Sequence, residues 1–400
     1  QFTVKGLIKA QTNVTLDTAA GSDIVTLGEL VGGIAQGGIE TVAGTVKLDL
    51  GETTDGASDN DQFTLIGDIT SNVDIDFDSG AGADVVTVNG TMTTTTGAID
   101  INTGSESDQI DIVGRLEAGT SFKMHTGSGE DDLEITGAIK SSGTSIEIDT
   151  GDTRDFVTIT GDLEAETDVL IKLGAGDDSL DILNASVIAN NSETRIEGEA
   201  GKDTIIIEDV AQLTGTTSIL GGNNDDTITI VRLATQNAQT DSLLIDGGSG
   251  ADDVFIQTWG SIDGVDKNYN INVWDTGAAN DGSDTLDILG TAKDDFFLSR
   301  EKFVALLHGT ESQIRKVWTE AGDNRISTVE RINYDRSMDG RVSLLGFDGK
   351  DHFVSDDNSA IMTFDGGKGD DTFQFGQIFG LDPRVANPAT NGIAAGDEIN

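Results

Sequence analysis

The sequence predicts an all-β protein built as a parallel β-solenoid, and three observations carry that expectation. Apolar and polar residues alternate in short runs along most of the chain, the pattern of strands with one buried face. Glycine punctuates the runs: 51 glycines stand against two prolines in 400 residues, so turns are many and glycine supplies them. One aspartate also returns in register, every 23 to 26 residues from Asp61 to Asp252.

Asp84 serves as an anchor for the frame. Phe77 and Ile75 precede it, Gly80 lies four residues before it, and Val86, Val88, Gly90 and Met92 follow. Asp108 repeats the frame with Ile99, Ile101, Gly104, Ile110, Ile112, Gly114 and Leu116. Asp131 repeats it with Phe122, Met124, Gly127, Leu133, Ile135, Gly137 and Ile139, and Asp155 with Ile146, Ile148, Gly151, Val157, Ile159, Gly161 and Leu163. Asp178 follows with Val169, Ile171, Gly174, Leu180 and Ile182. Asp203, Asp226 and Asp252 keep the two positions after the anchor, and Asp23 and Asp61 fit earlier in the chain. Each repeat therefore reads as strand, glycine turn, strand, glycine, short third strand and turn.

A unit of this size cannot bury its own apolar face, whereas a stack of such units can. Neighbouring coils should pair as parallel strands about 4.8 Å apart. Every anchor aspartate should then fall at the same corner, and Val86, Ile110, Leu133, Val157, Leu180, Ile205, Ile228 and Val254 should share one interior row. A β-sandwich with evenly spaced turns is the competing architecture. It needs paired hairpins and gives no reason to keep one glycine-to-aspartate spacing through eight consecutive units.

Charge narrows the function. With 71 acidic and 24 basic residues the formal charge is -47, which argues against nucleic acid and anionic membrane surfaces as partners. No run approaches the roughly 18 apolar residues of a membrane span, so no membrane insertion is expected. There are no cysteines, which removes disulfides and thiolate metal sites. The chain opens in a strand-like run, Gln1-Phe2-Thr3-Val4, and both ends read as cuts through a longer polypeptide.

The corner sequences include Gly80-Ala-Gly-Ala-Asp84, Gly127-Ser-Gly-Glu-Asp131, Gly174-Ala-Gly-Asp-Asp178, Gly247-Gly-Ser-Gly-Ala-Asp252 and Gly366-Gly-Lys-Gly-Asp-Asp371. They resemble the RTX, or hemolysin-type, calcium-binding repeat. The last two match all of its glycines, while the corners at Asp108, Asp155 and Asp226 lack the second loop glycine. The resemblance implies several Ca2+ ions. They would be held at Gly80, Gly82 and Asp84; Asp108; Gly127, Gly129 and Asp131; Asp155; Gly174, Gly176 and Asp178; Asp203; Asp226; Gly248, Gly250 and Asp252; and Gly367, Gly369 and Asp371. Elementary physics is consistent with it. Calcium takes six to eight oxygens, which two stacked corners can supply together. Without a cation, carboxylates about 4.8 Å apart repel by roughly 3.5 kcal/mol at an effective dielectric of about 20. The rival reading is that aspartate and glycine are only turn formers.

The coil of 23 to 26 residues departs from the shorter RTX repeat and looks more like the Asp/Gly-rich regions of giant bacterial adhesins. That likeness implies an extracellular or cell-surface location and a structural or adhesive role. It implies neighbouring repeats or identical subunits stacked end to end, and surface glycans as a further class of partner. A self-assembling filament or surface-layer subunit is the first alternative, and a polysaccharide-binding or polysaccharide-modifying β-helix the second.

Three regions follow: 1–256 as repeat solenoid, 257–345 as an elaborated or inserted segment, and 346–400 as resumed RTX-like coils. In the middle region Asp284 keeps the frame after an expanded turn, but Phe296 to Asp323 breaks it and should protrude from, or cover, one face. Arg300 to Gly309 reads either as a short amphipathic helix or as an edge hairpin. An enzyme is not expected. His125, His308 and His352 are widely separated in sequence, and Trp259, Trp274, Trp318, Tyr269 and Tyr334 read as core before they read as a sugar platform.

Overall fold

The computed structural model describes residues 1–51, 59–209, 212–234, 242–264, 266–278, 281–314, 328–355 and 358–376. The fold is an all-β parallel solenoid with about 24 residues per turn. It divides into two compact units, residues 1–223 and 224–400.

In the first unit each coil carries three strands. Val85–Val88, Met92–Thr94 and Ile99–Asn102 make one coil, and Gln109–Ile112, Leu116–Ala118 and Phe122–His125 make the next. Every strand pairs in parallel with its counterpart one coil on: Val86 faces Ile110, Met92 faces Leu116 and Ile99 faces Phe122. The interior row runs as expected through Ile110, Leu133, Val157, Leu180 and Ile205 in this unit, and Ile228 faces Val254 in the second. All eight side chains are buried. Each such burial contributes about 1.5–3 kcal/mol relative to exposure, so the core is spread evenly along the stack. Strict alternation is what makes this possible, because a one-residue slip would turn the whole row outward. The Ser186–Ala200 and Gln212–Asn223 strands run the second and third faces together, with an irregularity between Ile188 and Glu193.

One hairpin interrupts the coils of the first unit. Glu29–Val31 and Ile34–Gln36 pair antiparallel around Gly32 and Gly33. Leu30, Val31 and Ile34 are exposed on it.

The second unit continues in the same manner through Thr227–Val231, Asp253–Gln257, Thr285–Leu289, Arg341–Leu345 and Met362–Asp365, all parallel. The expected insertion takes a different form from a protrusion. Phe296–Arg300 and Phe303–Leu307 form an antiparallel hairpin. Its first strand pairs in parallel with His352–Ser355, and its second pairs antiparallel with Val329–Asn333. The hairpin is thus built into the sheet, with strands on both sides, and the helix reading of Arg300 to Gly309 is corrected. The cause is visible in its burial: Phe297, Val304 and Leu306 fill one side while Phe296, Leu298 and Leu307 pack with Ile314 and Val354 on the other. Residues 315–323 of the expected insertion lie outside the described residues.

Candidate metal centre

The anchor aspartates are not side chains hanging from turns. They point inward and are buried, with Asp84, Asp108, Asp131, Asp155, Asp178, Asp203, Asp226 and Asp252 all 3% exposed or less. Within each unit the anchor Oδ1 accepts a hydrogen bond from the backbone N–H of the anchor one coil earlier. The chain of bonds runs from Asp23 N–H to Asp61 (2.6 Å), Asp61 to Asp84 (2.8 Å), Asp84 to Asp108 (2.8 Å) and Asp108 to Asp131 (2.8 Å). It continues from Asp131 to Asp155 (2.8 Å), Asp155 to Asp178 (2.7 Å) and Asp178 to Asp203 (2.9 Å). In the second unit Asp226 donates to Asp252 (2.8 Å) and Asp252 to Asp284 (3.1 Å). The backbone amide that leads into each first-face strand is satisfied by this carboxylate, which fixes the coil-to-coil register at the corner.

The other oxygen is the anomaly. Oδ2 of Asp61, Asp84, Asp108, Asp131, Asp155, Asp178, Asp252 and Asp351 is buried without a hydrogen-bond partner. A desolvated anion in that state is expensive and draws either a proton or a cation. Burial accordingly pushes Asp108 and Asp155 up to about 8, Asp61 and Asp178 to about 7, and Asp84 and Asp203 to about 6. The N–H of the preceding anchor pulls each of these back, for Asp108 and Asp155 the charges of the adjoining anchors add to the rise, and the hydroxyls of Ser79, Thr103 and Thr150 draw Asp84, Asp108 and Asp155 down.

Five positions before the anchor a hydroxyl residue stands at some corners and glycine at others, with Leu173 before Asp178. Ser79, Thr103, Thr126 and Thr150 hold that place before Asp84, Asp108, Asp131 and Asp155, and all four are fully buried. Their hydroxyls donate onward to the next coil: Ser79 Oγ to the carbonyl of Thr103 (3.2 Å), Thr103 Oγ1 to Thr126 (3.2 Å), Thr126 Oγ1 to Thr150 (2.9 Å) and Thr150 Oγ1 to Leu173 (2.8 Å). Before Asp203, Asp252, Asp295, Asp351 and Asp371 the place belongs to Gly198, Gly247, Gly290, Gly346 and Gly366. A Cβ on these glycines would lie 2.2–2.7 Å from Oδ2 of the anchor. At these corners the anchor carboxylate packs directly against the glycine, in a place that a side chain would have to share.

Backbone conformation is shared by both kinds. At the second loop position Gly82, Gly129 and Gly250 have φ of 135°, 133° and 142°. Where glycine is missing the position stays left-handed, with Glu106, Thr153 and Asn224 at 75°, 75° and 76°. The loop conformation is therefore imposed by stacking, and non-glycine residues carry strain there.

The last coils correct the expectation of a single line. The turns carrying Asp351 and Asp371 lead from the Arg341–Leu345 and Met362–Asp365 strands into His352–Ser355 and Thr372–Phe375. That is the opposite corner from the one carrying Asp252, which leads into the first face. A second ladder forms there: Asp295 N–H to Asp351 Oδ1 at 2.8 Å, and Asp351 N–H to Asp371 Oδ1 at 3.0 Å over 20 residues. Asp295 of Gly290-Thr-Ala-Lys-Asp-Asp295 is a corner that sequence spacing did not identify. Its carboxylate is taken by the N–H groups of Ser261 and Thr291.

Two further groupings appear only in the fold. Carboxylate oxygens of Asp252, Asp275 and Asp284 lie within 4.8 Å of one another. Glu330, buried in the second unit, accepts from Trp259 N–H (2.8 Å) and Tyr269 Oη–H (2.6 Å) and lies 3.2 Å from His308 Nε2. This network pins the hairpin to the coil before it. Of the other aromatics singled out, Tyr334 is buried, Trp274 is 43% exposed and Trp318 lies outside the described residues. His125 stands on the outer side of its strand, 3.8 Å from Asp149.

The donor chemistry is hard oxygen throughout, which suits calcium. No family model matches the chain, and no characterised protein or solved structure is detectably similar to it.

Proposed function

We propose that the chain is a calcium-stabilised structural segment of a large exported bacterial surface or secreted protein, serving as stalk or adhesive scaffold rather than as a catalyst. The observation that carries this reading is the row of buried aspartates with one oxygen bonded and the other unpartnered. A fold that repeats such a group coil after coil must supply each one with a proton or a counter-charge. The resemblance of Gly247 to Asp252 and Gly366 to Asp371 to the calcium repeat supports calcium as that counter-charge. The formal charge of -47 supports a setting in which divalent cations are plentiful, as they are outside cells.

Circular dichroism melts in chelator, and then with calcium or magnesium titrated in, test the proposal. A cation that binds only the folded chain raises its melting temperature. The midpoint should fall at or below about 10⁻⁴ to 10⁻³ M calcium, the range of extracellular modules, and magnesium should act weakly because it gives up water reluctantly. Identical melts in chelator and in millimolar calcium would contradict it.

A further inference from the structure

We infer that Asp252, Asp275 and Asp284 form a cation site of their own, taking one calcium-sized hard cation and filling before every other corner. The inference rests on the calcium reading above and deepens it, because it joins to Asp252 two carboxylates that the calcium-repeat resemblance does not assign, one of them, Asp275, outside the repeat frame.

The ladder elsewhere brings in one carboxylate per coil. Here oxygens of three carboxylates lie within 4.8 Å of one another, the one such group of three among the described residues. Asp252 is 2% exposed, its Oδ1 is held by Asp226 N–H at 2.8 Å, and its Oδ2 has no partner. Asp284 stands one coil on, with its Oδ1 held by Asp252 N–H at 3.1 Å. Asp275 belongs to the expanded turn that follows Tyr269–Trp274. Its N–H donates to Ser337 Oγ at 3.0 Å, and its Oδ1 accepts from Gly277 N–H at 3.1 Å.

Three glycines make the approach possible. A Cβ on Gly247 would stand 2.4 Å from Asp252 Oδ2. On Gly277 and Gly282 it would stand 2.2 Å from the Gly248 carbonyl and 1.6 Å from the Gly250 carbonyl. The expanded turn is thereby pressed onto the corner that carries Asp252. Oxygens on opposite sides of a calcium ion lie about 4.6–5.2 Å apart, twice its bond length, so one ion can reach all three. The absence of nitrogen and sulfur from the three ligands disfavours zinc and copper. Affinity of oxygen sites rises with the number of charged ligands, which places this corner ahead of the single-carboxylate corners.

Trp274 is the residue before Asp275 and is partly exposed, so it can sensitise the emission of a bound terbium ion. The experiment is a terbium titration of the full chain under tryptophan excitation, with calcium as competitor and radiocalcium dialysis alongside. One tight class of site is expected, at least tenfold tighter than the rest. Asp275→Asn, a partly exposed residue off the ladder, should weaken that class at least tenfold and leave the circular dichroism spectrum unchanged, whereas Asp178→Asn should not touch it. Trp274→Phe should abolish the emission and keep the tight calcium. Calcium bound in a single uniform class, or a tight class indifferent to Asp275→Asn, would overturn this site and leave the calcium reading standing. Emission that survives Trp274→Phe would place the ion elsewhere and overturn it too. No calcium bound by any variant would overturn both.

Discussion

The corners at Asp84, Asp108, Asp131 and Asp155 and the corner at Asp252 make the same backbone bond and differ in one neighbouring side chain. In the first group a buried Ser79, Thr103, Thr126 or Thr150 stands beside the carboxylate and builds a second ladder of hydroxyl-to-carbonyl bonds. At Asp252 the neighbour is Gly247, and further carboxylates gather. The difference teaches that one repeat frame can surround the same buried carboxylate in two ways: with a hydroxyl that eases its charge, or with further carboxylates that call for a cation.

The largest effect should come from pH in the absence of calcium. The folded-state pKa values of Asp61, Asp84, Asp108, Asp155 and Asp178, at about 6 to 8, stand above the ordinary value of 3.8. The folded chain therefore holds protons that the unfolded chain releases. Stability is full below about pH 4 and is lost as pH rises through about 6 to 8, by up to about 1.4 kcal/mol per pH unit for each anchor. Urea unfolding in chelator, followed by far-ultraviolet circular dichroism, should show this slope, and the double variant Asp108→Asn, Asp155→Asn should flatten it. A stability that climbs over that interval would break the comparison.

Calcium withdrawal comes next and should act unevenly. At a calcium concentration of about 100 times Kd a single site adds about 2.7 kcal/mol, or about 5–10 °C for a unit of this size. Hydrogen exchange should speed up in peptides covering 243–289 and change little in 99–160. All three tryptophans lie beyond residue 223, so tryptophan fluorescence melts follow the second unit and should show the full shift. Equal responses in both segments would erase the distinction between the corners.

Single substitutions sharpen it further. Asp131→Asn keeps the acceptor for Asp108 N–H and removes a buried charge, so at about pH 8 stability should hold or rise by up to about 1–2 kcal/mol. Asp252→Asn should forfeit the calcium-dependent increment of about 2–3 kcal/mol. Denaturant midpoints with and without calcium read both. The smallest effect belongs to loop strain: Glu106→Gly relieves a left-handed φ of 75° and should stabilise by about 1 kcal/mol.

Much of this was legible in the residues. The interior rows follow from alternation, because Val86 and Ile110 occupy the only phase that buries both flanking apolar positions. The recurrence of the anchors followed from spacing. The inward turn of their side chains did not, since turn aspartates ordinarily face water and nothing local marks these as acceptors for the coil before. The change from Ser or Thr to Gly five residues ahead is printed in the chain, yet as the end of a strand it carries no meaning until the carboxylate beside it is seen. Phe296 to Leu307 is apolar on both faces, which erases the period that would separate hairpin from helix. The second ladder escaped because the coil shortens to 20 residues and the corner changes sides while the Gly-to-Asp spacing stays the same.

An anomalous difference map from crystals grown in calcium would put the account to the test in one step. It should show a peak about 2.3–2.6 Å from carboxylate oxygens of Asp252, Asp275 and Asp284, and none beside Asp108, Asp131 or Asp155, where the buried hydroxyls of Thr103, Thr126 and Thr150 serve the carboxylate instead. Peaks repeated at every aspartate of the first unit, or no peak at Asp252, would contradict it.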